Sequence, residues 1–142
     1  MASGSTRFLR TLKHGDIMNA TPLYLFSHGL KHGYPPKADF YVDCRGIADV
    51  RGLPGDHPLG QAAVLKASKV QLDTIEYLVK DALEMVGPRR QEQHLTSPFT
   101  ICFFCAWGLN RSPAVKNIIA GRLVKAGWTV NVAKGSEWER VK

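Results

Sequence analysis

The sequence predicts an α/β fold: a small, mostly parallel open sheet carrying a strand-loop-helix anion-binding loop. Three observations point there. Residues 99–104 (FTICFF) form an uncharged apolar run, the pattern of a strand covered on both faces. After a short loop, Ser112-Pro113 opens a helix with apolar residues at helical spacing; Gly127 ends it and Trp128 to Val132 reads as another strand. Strand, helix and strand in that order make a βαβ unit, which is parallel and right-handed. Two shorter β-prone runs upstream supply the remaining strands.

The elements follow in order. Residues 1–19 are an N-terminal segment whose pattern fixes no one element, with Arg7 to Leu12 readable as a strand or as one helical turn. Residues 20–142 form the domain. Leu23 to Phe26 is a buried strand that stops at Ser27-His28-Gly29. Tyr34-Pro35-Pro36 forbids helix, and Phe40 to Val42 is a second strand running into Asp43-Cys44-Arg45. The four glycines and two prolines of residues 46–60 predict a loop. Ser68 and Gln71 fit a capping box for a helix buried through Ile75, Leu78, Val79, Ala82 and Val86 and closed by Gly87-Pro88. Residues 89–97 read as a polar connection. The last helix, 113–126, presents Val115, Ile118, Ile119, Leu123 and Val124 as its buried stripe, with Ser112 as N-cap and Pro113 in the first position.

Composition narrows the class of function. A chain of 142 residues with 44% hydrophobic and 22% charged residues is an ordinary single folded domain. The longest uncharged stretch, Leu95 to Asn110, is shorter and more polar than the ~20 apolar residues of a membrane span. The first fifteen residues hold no apolar signal region and the three cysteines are an odd number, so a reducing cytoplasm is the expected compartment. The net charge of +7 is unevenly spread: residues 1–37 hold five basic residues against one acidic, and residues 111–142 seven against two, while the middle is slightly acidic. If the fold gathers both ends on one face, the result is a basic patch suited to phosphate-bearing partners, nucleic acid included. A merely solubilising surface is the other reading.

The chemistry concentrates in Cys105-Ala-Trp-Gly-Leu-Asn-Arg111-Ser112-Pro113. A short loop between a strand end and a helix N-terminus turns backbone N–H groups inward, and the helix dipole adds positive character there. Arg111 offers a planar fork to two phosphate oxygens, and the Ser112 hydroxyl serves as cap or ligand contact. The same field favours a Cys105 thiolate. Trp107 either stacks on a base or sugar or packs over the sheet edge. Ligands of open parallel sheets sit outside the carboxyl ends of the strands. By that rule Ser27, Lys31 and His32, after the first strand, and Asp43 and Arg45, after the second, converge on Cys105 and Arg111.

No metal site is expected. Cys102 and Cys105 have zinc spacing but point to opposite faces of a strand, and His28 and His32 are flanked by glycines that argue against a helical pair. His14, His57 and His94 read as solvent-exposed bystanders. No phosphate-binding Gly-Lys-Ser/Thr loop is present, and no cofactor is expected.

The segment from Phe26 to Arg45 resembles the start of the C-terminal domain of the RapZ family of bacterial RNase adapter proteins, with Gly29, Lys31, Gly33, Pro35, Ala38, Asp39, Asp43 and Arg45 in register. Cys105 to Ser112 with its helix, and Gly127 to Val130, give a second match, so the resemblance frames residues 22 to about 135. It implies a regulatory module that binds a phosphosugar such as glucosamine-6-phosphate and a small RNA. The implied pocket is Lys31, His32, Arg45, Cys105, Gly108, Arg111 and Ser112, and the implied RNA contacts are Lys134, Arg140 and Lys142. Family members carry an N-terminal ATP-binding domain, so the chain looks like a stand-alone form; a separate ATPase partner and a homo-oligomer remain open. The family loop is similar to Cys-Thr-Gly-Gly-x-His-Arg-Ser, and this chain departs from it at Trp107, Leu109 and Asn110.

Cys105 to Pro113 also resembles the phosphate loop of cysteine-dependent phosphatases, which implies a Cys105 nucleophile, Arg111 and an acid, with Asp43 or Asp49 the candidates. No aspartate follows Asp81, whereas the low-molecular-weight family carries its acid well downstream of the loop. A binding module is therefore expected ahead of an enzyme.

Overall fold

The computed structural model describes residues 22–49, 53 and 55–136. Four strands, β1 (Leu23–Gly29), β2 (Phe40–Asp43), β3 (Phe99–Cys105) and β4 (Val130–Ser136), form one all-parallel sheet in the order β2-β3-β1-β4. Three helices accompany them: α1 (Pro58–Ala67), α2 (Lys69–Glu92) and α3 (Arg111–Lys125). The sheet is parallel and open, and β3, with β1, is central, as the uncharged run at 99–104 predicts. The predicted β3–α3–β4 unit straddles β1, which pairs with both strands.

Strand alternation sorts the side chains by face. Leu23, Leu25, Ile101, Phe103 and Cys105 join Val64, Leu72, Val79, Leu83, Val115, Ile119 and Leu123 of the three helices in the main core. Phe26, Cys102 and Ala133 form a smaller cluster on the opposite face, with Tyr24, Ala38 and Phe104 against it. Cys102 and Cys105 therefore do lie on opposite faces. Trp128 is buried just ahead of β4, after Gly127 turns the chain with φ 101°. Among the described residues no helix is long and apolar enough to cross a membrane.

Several local expectations need correction, each for a definable reason. The predicted loop 46–60 gives way at Pro58 to α1, which runs to Ala67: Pro58 suits a first turn, and His57, far from a bystander, caps it by accepting from the Leu59 N–H at 3.1 Å on Nδ1. The capping box at Ser68 does not form. Its hydroxyl accepts instead from the Ala48 N–H at 3.0 Å and ties the 44–49 turn to the start of α2. Gly87-Pro88 does not close that helix, which continues through the predicted connection to Glu92. Proline removes only one helical hydrogen bond; Arg90 binds Ser97 O and lies 6.0 Å from the Phe99 ring, holding the final turn to β3. Val79 is buried and Ile75 and Val86 pack on the core as expected, but Leu72 and Leu83 complete the buried stripe of α2 and Leu78 is exposed; on α3, Val124 is exposed as well. β1 extends three residues beyond Phe26, and β4 starts two residues later than expected and runs to Ser136.

Candidate phosphate-binding loop

β1, β2 and β3 all end on one edge of the sheet, and the register sets Gly29 beside Cys105. The turn after β1 (Leu30–His32) donates Lys31 N–H to Ala106 O at 2.8 Å, and the turn after β2 donates Cys44 N–H to Phe104 O at 2.8 Å. Loop 105–111 is thus laced on both sides. Contact with β1 is closer still: a Cβ on Gly29 would stand 2.1 Å from the Trp107 carbonyl oxygen, so only glycine allows the approach. On the far flank Gly55 donates to Leu109 O at 3.0 Å and lies against Asn110 O and the Ala114 N.

Inside this brace the loop closes on the sulfur of Cys105. Gly108, at φ 76°, directs its N–H to Sγ at 3.3 Å, and the Ser112 N–H reaches the same atom at 3.4 Å. The Ser112 Oγ lies 3.1 Å from Sγ and 3.5 Å from His28 O. Cys105 Sγ thus accepts from two amides and donates to the Ser112 hydroxyl, which in turn faces the His28 carbonyl, and the sulfur is fixed at the base of the loop. Ser112 is not the N-cap: Asn110 takes that position, the helix begins at Arg111, and the buried Ser112 side chain turns toward Cys105. Pro113 falls in the third helical position, which also needs no intrahelical N–H partner.

A pocket of about 90 Å³ opens above the sulfur, lined by Asp49, Cys105, Trp107, Leu109, Asn110 and Arg111. Arg111 donates Nη1 to Arg45 O at 2.9 Å, which leaves its guanidinium with further N–H groups and, among the described residues, no carboxylate partner. Lys31 places Nζ 5.9 Å from the Trp107 ring centroid, and the His32 ring meets the same indole edge-on at 6.0 Å. His28 is buried, and its Nε2 lies 3.1 Å from Gly33 O.

Other expected site residues have different duties. Arg45 enters through its carbonyl; its side chain forks onto Asp43 (Nε–Oδ1 2.9 Å, Nη2–Oδ2 2.7 Å) and covers the Phe104 ring at 5.5 Å. That hydrogen bonding from Arg45, with the charges of Arg45 and Arg111, holds the Asp43 carboxyl below its usual range against its partial burial. Burial pushes the neighbouring Cys44 thiol well up. Ser27 is wholly buried within β1, and Lys134 is exposed on β4. Arg140 and Lys142, like residues 1–19 and His14, lie outside the described residues.

Sequence reasoning singled out neither Asn110 nor Leu109 as pocket-lining. It also passed over Lys116, which is fully buried with Nζ on Ala133 O at 2.5 Å and 3.6 Å from Asp56. The helical stripe was the available signal for it: Lys116 occupies the α3 face next to Val115 and Ile119.

Comparison with known proteins identifies the frame. A family model described as the RapZ C-terminal domain matches residues 21–136. A protein of Bifidobacterium adolescentis named nucleotide-binding protein is 32% identical over 127 residues, covering 84% of this chain and 39% of that relative. One of Bifidobacterium longum subsp. infantis with the same name is 31% identical over 144 residues, at 96% and 42%, and one of Thermobifida fusca is 31% identical over 114 residues, at 75% and 37%. The chain spans about two-fifths of the length of these relatives. The family match runs from ahead of β1 to the last residue of β4 and takes in both the 26–45 segment and the 105–112 loop; the chain belongs to the RapZ C-terminal domain family.

Proposed function

We propose that this chain is a regulatory module that binds the phosphate group of a small phosphorylated metabolite in the 105–112 loop. One observation carries the reading: two backbone N–H groups converge on the floor of a pocket whose wall holds Arg111 without a carboxylate partner among the described residues. Fixed amide donors and a planar cation are the recognition elements of a tetrahedral oxyanion. Lys31, beside Trp107, adds a second positive charge at the mouth. Family membership supports an amino-sugar phosphate such as glucosamine-6-phosphate as one candidate. The relatives' name, nucleotide-binding protein, supports a phosphorylated ligand too, although about three-fifths of each relative lies beyond the match. Calorimetry with inorganic phosphate and glucosamine-6-phosphate tests the assignment: both bind the wild type, Arg111→Ala weakens them at least about tenfold, and unchanged affinity removes the pocket.

RNA binding is the family's second property. Here Lys134 is the described residue that supports it, together with the terminal charge excess. Filter binding at rising salt is the check: affinity falls steeply as counterions return to the phosphates, and an undetectable or salt-indifferent complex rejects the assignment.

The two amide hydrogen bonds onto Sγ also favour a second reading, a cysteine-dependent phosphatase. In it the Cys105 thiolate attacks phosphorus, an S–P bond forms as the ester P–O bond breaks, and a carboxylic acid protonates the leaving oxygen; water then displaces sulfur and gives its proton back to the carboxylate. Of the two candidate acids Asp49 lines the pocket, while Asp43 lies outside its wall and forks with Arg45, so Asp49 is the acid of this reading. Turnover of p-nitrophenyl phosphate, lost in Cys105→Ser, distinguishes it; absence of turnover leaves the binding module.

A further inference from the structure

We propose that the ligand carries a flat aromatic ring beside its phosphate, and that the site takes a nucleoside monophosphate with its base on Trp107. The inference rests on the phosphate-pocket reading above and adds to it. Trp107 keeps 55% of its surface exposed at the rim of the pocket it lines, and Leu109 beside it keeps 50%. An indole on a free loop is no platform, but this one is held: its carbonyl sits against Gly29 and the preceding residue's carbonyl accepts from Lys31. Its neighbours are a cation 5.9 Å from the ring centroid and an imidazole meeting it edge-on at 6.0 Å. These are the surroundings of a π-stack with a charged, phosphate-seeking flank.

The pocket also bounds the phosphate count. About 90 Å³ over the Cys105 sulfur is the space of one phosphoryl group. A monophosphate therefore fits better than a diphosphate. The phosphate anchors the ligand at Arg111 and the loop amides, and the base covers apolar indole that is otherwise in water.

The whole chain, titrated calorimetrically with AMP, ADP, ribose-5-phosphate and inorganic phosphate, tests this. AMP binds at least about tenfold more tightly than ribose-5-phosphate, the size of one base-aromatic stack, and ADP binds no better than AMP. Trp107→Ala brings AMP down to the level of ribose-5-phosphate, while Trp107→Phe, which keeps a ring, retains most of the preference; circular dichroism verifies that both variants fold. Equal affinity of AMP and ribose-5-phosphate for the wild type overturns the stacking platform and leaves the phosphate pocket standing. If none of the probes binds, both fall. A 5′-phosphorylated oligonucleotide that binds more tightly than AMP overturns a free nucleotide as the occupant.

Discussion

The two ends of α3 carry similar cations in opposite electrostatic settings. At the C-terminal end Arg122 donates to Asp73 at 2.9 Å and to Glu76 at 2.8 Å, and those carboxylates are shared in turn with Lys69 at 3.0 Å and Lys80 at 2.6 Å. That guanidinium is paired with two carboxylates and joins α3 to α2. At the N-terminal end Arg111, among the described residues, meets a single carbonyl, beside inward-turned amides and the positive end of the helix dipole. The difference teaches where charge is left over: positive charge at one end is answered by carboxylates, and at the other, among the described residues, by a carbonyl.

The contrast yields predictions of decreasing size. The severest break is Gly29→Val, which drives a side chain into the Trp107 carbonyl; overpacking against backbone costs about 3 kcal/mol or more, read as a lower urea midpoint with loss of phosphate affinity. Next, Arg111→Ala weakens phosphate by about ten- to a hundredfold, roughly 1.4–2.7 kcal/mol, with its melting temperature little changed, because its one bond goes to a carbonyl at the surface. Arg122→Ala does the reverse. It lowers stability by about 1 kcal/mol, measured by denaturant unfolding, and leaves phosphate affinity as it was; a variant that loses both collapses the distinction between the two ends.

The smallest effect is in acid. The hydrogen bond from Lys80, then that from Arg122, holds the Glu76 carboxyl below its ordinary range despite partial burial; Lys69, then Arg122, does the same for Asp73. A carboxyl whose folded pKa is lowered stabilises the fold above its unfolded pKa, about 4, and that contribution disappears as the pH falls through the folded value. Lys80→Met flattens this acid limb in a stability-against-pH series, and an unchanged limb assigns it elsewhere.

The sheet was legible because its signals are local and redundant. Residues 99–104 contain no charge to expose, and the Cys105–Ser112 loop falls between a strand and a helix whose spacing is plain. The family resemblance reached the same residues by a different route. What escaped depends on partners distant in sequence. Ser68 has the pattern of a helix cap, yet Ala48 N–H claims its hydroxyl. Ser112 is a good N-cap by type, but tertiary contact with Cys105 sets its position. Arg45 was expected to face the ligand, and Asp43, two residues before it, takes its fork. Pro88 ordinarily ends a helix; Arg90 holding Ser97 and flanking Phe99 favours its continuation. Lys116 shows the limit most plainly, since a lysine among buried neighbours is read as solvated until its carbonyl acceptor on β4 is known.

The glycine-permitted grip on the loop has a kinetic corollary. Gly29 presses on one flank and Gly55 on the other, so the loop is held from both sides by backbone contact, and on the phosphate-binding proposal above it is set before a ligand arrives. Little ordering remains to be done on arrival, and capture should proceed in one step, at a rate set by diffusion and charge attraction and slowed by added electrolyte, with no lag from loop rearrangement.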